Sequence, residues 1–390
     1  VAAVGAEDPA SAPAASSHER IGDDEPLSHP AVESNRHPES RGPAHRGAGT
    51  SPPNRFLHTR RDPDPDMMDL DPAEEPAPRT EFLPDLTQSI LSRNDSPDVG
   101  FTWSANPYRG CEHGCAYCYA RPTHEYLGYN AGIDFESRIL VKHRAAELLR
   151  TELSKVSWKP DVIALSGVTD CYQPVERRLQ ITRACLEVLA EFRNPVTIVT
   201  KNALVARDVD VLAELARHRA AAVCFSLTSL DADLRSVLEP RASPPVAKLR
   251  AIRKLADAGV PVGVLCAPII PAINDHEVPR VLEAAAAAGA TFASYTVLRL
   301  PLAVEPIFLD WLQRHFPDRR EKVLHQLRAF REGALNRSEF GERMRGTGAA
   351  ADRLRQLFHV SARKHGLNVA WPETSTAAFR RVEPGQLELL

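Results

Sequence analysis

The chain has 390 residues, 43% of them apolar, with 48 basic and 51 acidic side chains and a formal net charge of −3. That length can bury a sizeable core, as two average domains or as one large α/β barrel. Seven cysteines, three clustered and four scattered, argue against a disulfide framework and for a reducing, cytoplasmic setting, and no apolar run reaches the length of a membrane span.

Charge is unevenly placed. Residues 1–78 hold 13 of the 32 prolines, a single aromatic (Phe56), and 15 acidic against 7 basic side chains, a balance of −8. The rest, with 41 basic and 36 acidic residues, is a mildly basic body of +5. A segment so poor in apolar residues cannot offset its ordering entropy, so residues 1–80 are expected to be a disordered, acidic, Pro-rich tail. The basic surplus permits a polyanionic partner without requiring one.

From Glu81 onward, strand-like apolar runs alternate with helical patterns. Thr102–Asn106 reads as the first strand, with a helix at Arg144–Leu153. Asp161–Ser166 is followed by a helix at Arg177–Phe192, and Val196–Thr200 by one at Asp208–His218. Ala222–Leu227 leads to Ala247–Ala258, Val260–Cys266 to Pro279–Ala288, and Ala293–Leu298 is the sixth strand. Strand then helix, repeated, implies parallel pairing with right-handed crossovers, in a partial barrel or a doubly wound sheet. In either case ligands gather at the carboxyl ends of the strands. After strand six come helical patterns at Phe308–His315, Arg319–Glu332, Glu339–Met344 and Ala349–His365, read as a lid or brace.

Directly after the first strand, Cys111, Cys115 and Cys118 form a C-x3-C-x2-C loop in Asn-Pro-Tyr-Arg-Gly-Cys-Glu-His-Gly-Cys-Ala-Tyr-Cys-Tyr, with no fourth cysteine at ligand spacing. Gly110 and Gly114 let such a loop wrap around a centre. A cubane iron–sulfur cluster takes a thiolate on each of four irons, so three thiolates leave one iron open to a small molecule. The alternative is a closed zinc site with His113 as fourth ligand, in a nucleic-acid-binding module without catalysis.

The cysteine spacing with Tyr117 before the last cysteine resembles the signature of radical S-adenosylmethionine (SAM) enzymes. Asn-Pro-Tyr-Arg-Gly before it and Tyr-Ala-Arg-Pro-Thr-His-Glu after it resemble the branch related to spore photoproduct lyase. The likeness covers roughly residues 98–370. It implies that the α/β repeat over 81–300 is a partial (β/α)6 TIM-like barrel; the helical patterns after it are read as a C-terminal helical extension over 301–390. It also implies a [4Fe–4S] cluster on Cys111, Cys115 and Cys118 and reductive cleavage of SAM to a 5′-deoxyadenosyl radical. An electron donor such as flavodoxin or ferredoxin is expected, and a nucleic acid or nucleotide as substrate, with a peptide- or protein-modifying radical enzyme as the alternative.

By the same resemblance Tyr117 lies near the adenine, Lys201 meets the SAM carboxylate, and Ser226, with Thr228 as an equal candidate, contacts the ribose or carboxylate. Ser166 and Asp170, in the loop after strand two, can bond the ammonium and sulfonium end, or Asp170 can cap the following helix. Cys171 is a candidate hydrogen-atom donor, against passive packing. Asn274 and Asp275 are read as caps. His124 and Glu125 either line the substrate side or bond their own loop, and Arg343 and Arg345 either contact phosphates or pair with the protein's own acids.

Overall fold

The structure is a computed structural model that describes residues 46–57 and 79–382. Among these residues ten strands run in chain order as β1 (Glu81–Pro84), β2 (Leu91–Arg93), β3 (Trp103–Ala105), β4 (Tyr108–Arg109), β5 (Arg138–Val141), β6 (Ile163–Leu165), β7 (Val196–Thr200), β8 (Ala221–Ser226), β9 (Val262–Ile269) and β10 (Phe292–Val297). All six expected strands are present within a few residues of the expected bounds. They are found because parallel strands covered on both faces must be nearly continuous apolar runs: every residue of β6 and of β8 is buried.

These six strands pair in parallel in the order β3-β6-β7-β8-β9-β10, and β2 adds an antiparallel edge to β3. The order never reverses, so successive right-handed crossovers place their helices on one side and curl the sheet, as in a partial barrel; a doubly wound sheet would reverse. Among the described residues the sheet stays open. A small second sheet, β1-β5-β4, lies beside the cysteine loop. Its two- to four-residue strands are too short to leave a periodic signal.

Two helical expectations need correction. Arg177–Phe192 is two helices, Glu176–Leu179 and Ile181–Phe192, broken at Gln180 in the left-handed region (φ 53°). The buried Glu176 carboxylate accepts the Thr182 N–H at 3.0 Å, supplying the start of the second helix. Glu339–Met344 forms turns instead of a helix, held where the Gly341 N–H and the Arg343 guanidinium both reach Asp98.

The C-terminal part braces the barrel. Helix Gly348–Lys364 packs on helix Val278–Ala287, and Asn368 then bonds along the exposed edge of β10 (Ala293 N–H to Asn368 O, 2.7 Å), which protects that edge. Beyond it, Trp371 rests on Phe292, the Ser375 N–H reaches the Arg219 carbonyl and the Arg380 N–H the Phe192 carbonyl. These contacts lie at the first residue of β10 and just before β8 and β7, so the last described stretch underlies the amino ends of these strands.

Residues 46–57, inside the segment expected to be disordered, are a further correction: they form a strap packed on the cysteine loop. Composition hid this because the strap is held by backbone and polar contacts more than by apolar area. The rest of that expectation, for residues 1–45 and 58–78, lies outside the described residues.

Candidate active site

The cysteine loop leaves β4 and runs into the 3-10 helix Arg121–Leu127. Gly110 (φ 81°) and Gly114 (φ 67°) both take the left-handed conformation that the wrap requires. Cys111 and Cys115 are buried, Cys118 is half-buried, and all three thiols are free.

The loop is fixed by its backbone carbonyls and amides. Arg121, without solvent exposure, donates from Nε and Nη2 to the Cys115 carbonyl (2.9 and 2.8 Å) and from Nη1 to the Ala131 and Gly132 carbonyls (3.1 and 2.9 Å). Its Nη2 also pairs with Glu136 Oε1 at 2.5 Å. The two Glu136 oxygens accept the strap's Gly47 and Ala48 N–H groups at 3.0 and 2.8 Å. Farther along the strap, Asn54 donates to the Glu125 and Tyr129 carbonyls and Arg55 pairs with the buried Glu125 carboxylate at 2.7 Å. Glu125 therefore anchors the strap, and His124 packs between Tyr129 and Phe135.

On the other side, Glu112 accepts the Val175 N–H (2.7 Å) and pairs with Arg241 (2.9 Å), while its own N–H donates to Gln173 Oε1 (2.9 Å). His113 is buried with Nδ1 3.3 Å from Asp170 Oδ2 and Nε2 3.5 Å from Asn202 Nδ2. The proposed fourth zinc ligand is thus turned to other partners. Among the described residues no three Cys, His, Asp or Glu side chains converge on a point that could hold one metal ion. Three free thiols on one loop are the donor set that a cluster with three protein ligands takes, and they fit that group.

Tyr117 points its hydroxyl at the buried carboxylate of Glu239, which also accepts from Thr228 Oγ1 (2.5 Å) and pairs with the buried Lys248 ammonium (3.2 Å). Burial would raise the Glu239 pKa, but Lys248, Lys201 and the two hydroxyls outweigh it and bring it to about 2. Lys201 lies 5.8 Å from the Tyr117 ring centre. Burial alone would lower its pKa; Cys115, Glu239, Asp170 and Cys118 reverse that and raise it above the ordinary lysine range. A cation is thereby held beside the thiols, whose own pKa values burial pushes up at Cys111 and Cys115. Neither Glu239 nor Lys248 stands out in the sequence, where each reads as an ordinary surface charge.

The remaining candidates separate into two groups. Ser226, at the end of β8, is buried and its carbonyl accepts from Lys248 Nζ at 3.0 Å. Asp170 does not cap a helix: it accepts from Thr200 Oγ1 (2.8 Å), Lys201 N–H (2.7 Å) and Tyr172 N–H (2.9 Å), stitching the loop after β6 to the end of β7. Ser166, at φ 73°, accepts the Cys171 N–H at 2.9 Å. Cys171 itself is 1% exposed and belongs to the main apolar core with Tyr108 and Cys185, so the structure does not bring its thiol to the cysteine loop. Asn274 stands at the N-cap position of the 3-10 helix Asp275–Glu277 but makes no side-chain cap bond; its amide donates to the Thr228 and Pro268 carbonyls, holding the loop after β9. Arg343 is engaged by Asp98 and Ser96, and Arg345 stacks over Tyr295 at 4.2 Å.

A family model described as the radical SAM superfamily matches residues 105–285. An uncharacterised protein of Mycobacterium tuberculosis is 36% identical over 236 residues, 60% of this chain and 69% of that protein. One from Methanocaldococcus jannaschii is 25% identical over 230 residues, 59% of this chain and 82% of that protein. Among solved structures, spore photoproduct lyase complexed with dinucleoside spore photoproduct superposes with a TM-score of 0.54 at 16% identity, covering 74% of this chain and 81% of that one. A variant of the same lyase with bound AdoMet and dinucleoside spore photoproduct gives 0.51 at 18% identity, covering 74% and 80%. At such identities the likeness is one of fold.

Proposed function

Because this chain belongs to the radical SAM superfamily, whose cofactors are a [4Fe–4S] cluster and SAM, we propose that it cleaves SAM reductively to a 5′-deoxyadenosyl radical and applies it to a nucleic acid or nucleotide. The observation that carries this reading is the buried, wrapped loop of three free thiols at the carboxyl edge of the sheet, with Lys201 facing it.

When bound, the cluster supplies an electron and an open iron for SAM. Cys111, Cys115 and Cys118 are the ligands in this reading. In this reading Tyr117, bonded to Glu239, gives a flat wall for the adenine, and Lys201 meets the SAM carboxylate through a charge-assisted hydrogen bond. Ser226 is the better polar candidate on β8, since the Thr228 hydroxyl is committed to Glu239 and the Ala267 carbonyl. Ser166 borders the same edge. Asp170 acts through Lys201, whose backbone it holds, as a positioning residue.

The lyase-type, repair-like reaction is suggested by the lyase of similar fold, solved with a dinucleoside photoproduct, and by the basic balance of the body; fold alone does not assign a substrate. The electron donor in this reading is a flavodoxin or ferredoxin, which sets the reaction in the cytoplasm. Among the described residues no helix is long and apolar enough to cross a membrane.

The test is anaerobic reconstitution, reduction with SAM, and chromatography for 5′-deoxyadenosine. Wild type forms it; Cys115→Ala, with a native circular dichroism spectrum, forms none. Undiminished product from that variant refutes the reading.

A further inference from the structure

Buried guanidinium N–H groups are nearly always satisfied, because leaving one unpaired out of water costs the whole of its desolvation. Arg331 breaks that pattern. It is 1% exposed, and its Nη2 donates to the Leu298 carbonyl at 2.7 Å, but Nε and Nη1 have no partner among the described residues. Burial pushes its pKa down to about 10, and the charge acting on it after that is another cation, Arg299. Arg299 also has a buried Nε without a partner among the described residues, and its Nη1 donates to the Met344 sulfur at 3.6 Å.

The nearby acid is already engaged. Asp98 acts on Arg299 at a distance, but its carboxylate is taken by Arg343 and the Gly341 N–H. Two guanidiniums close enough to repel each other thus leave three buried nitrogens without a partner among the described residues, an arrangement that an anion would stabilise. A guanidinium fork matches the oxygens of a phosphate.

The location ties these arginines to the chemistry. Arg299 lies two residues past β10, on the carboxyl edge shared with Lys201 and the cysteine loop. It lies near Tyr119, the residue after Cys118, whose hydroxyl bonds the Gly167 carbonyl.

We propose that Arg299 and Arg331 form an oxyanion site at the mouth of the barrel that binds a phosphate group of the substrate. The proposal deepens, and rests on, the nucleotide reading above. It specifies that the substrate presents a phosphate at the carboxyl edge of the sheet, on the β10 side.

The experiment is calorimetric titration of the full-length, anaerobically reconstituted protein with three probes: inorganic phosphate, a phosphate-bridged thymidine dinucleotide, and thymidine. Expected are binding of phosphate and of the dinucleotide with mutual competition, and weaker binding of thymidine. Arg299→Gln and Arg331→Gln each weaken the two phosphate-bearing probes by about tenfold to a hundredfold and leave thymidine unchanged. Arg331→Lys, which keeps the charge while losing the fork, recovers part of the loss and guards against a folding defect in Arg331→Gln. Phosphate affinities equal in wild type and Arg299→Gln would mean that water satisfies these donors, and would overturn the proposal. Phosphate binding that the dinucleotide does not compete away would overturn its assignment to substrate. Formation of 5′-deoxyadenosine by wild type without any phosphate tests the radical reading alone, so the two can fail separately.

Discussion

Arg121 and Glu136, both without solvent exposure, pair at 2.5 Å and between them hold the cysteine loop on one side and the strap on the other. A fully buried ion pair is weak evidence of net stability, because desolvation opposes it, but removing one partner leaves an uncompensated charge. Glu136→Gln should therefore destabilise the protein by about 3 kcal/mol, read as a lower midpoint in urea unfolding. It should also reduce the iron retained after reconstitution, since the Cys115 carbonyl loses a fixed donor. Full iron content with unchanged stability would contradict this role.

The strap predicts a sharper effect at Gly47. A Cβ there would lie 1.6 Å from the Gly114 carbonyl oxygen, against backbone that cannot yield. Gly47→Val should displace the strap and raise protease cleavage within residues 46–57. Gly100→Ala, where a Cβ meets nothing within 4 Å, is the neutral control.

Asp170 gives a pH dependence. Burial would raise its carboxyl, but His113, the Lys201 N–H and the Tyr172 N–H bring it from 3.8 to about 2. Its folded pKa lies below its unfolded one, so its contribution is complete above pH 4, amounts to about 2 kcal/mol, and is lost as the pH falls toward 2. The stability gap between wild type and Asp170→Asn, measured by denaturant unfolding of the cluster-free protein, should shrink over that window. A gap independent of pH would show that the carboxylate charge does not act.

For Cys171, burial in the apolar core predicts silence in chemistry. Its thiol, pushed up in pKa first by burial and then by Asp170, should resist alkylation in the folded protein. Cys171→Ala should leave the products unchanged and cost about 1 kcal/mol in stability. Altered quenching of a substrate radical in that variant would restore it as a hydrogen-atom donor.

Lys201→Met should weaken SAM binding by about tenfold or more while iron content stays near wild type. Unaltered SAM affinity would remove Lys201 from the site.

The primary sequence by itself determined the six parallel strands and the cysteine loop. Both are local patterns: a doubly covered strand must be an apolar run, and ligands of one cluster on one loop must keep short spacings. Tertiary structure alone decided which charges serve that loop. Tyr117 and Glu239 are 122 residues apart, Arg46 and Glu136 are 90 apart, and in a linear reading each acid or base is as plausible on a solvated face. Only the fold removes them from water, and once water is gone each buried charge must find a partner. The same holds for Cys171, a strand-end thiol in sequence and a core residue in space.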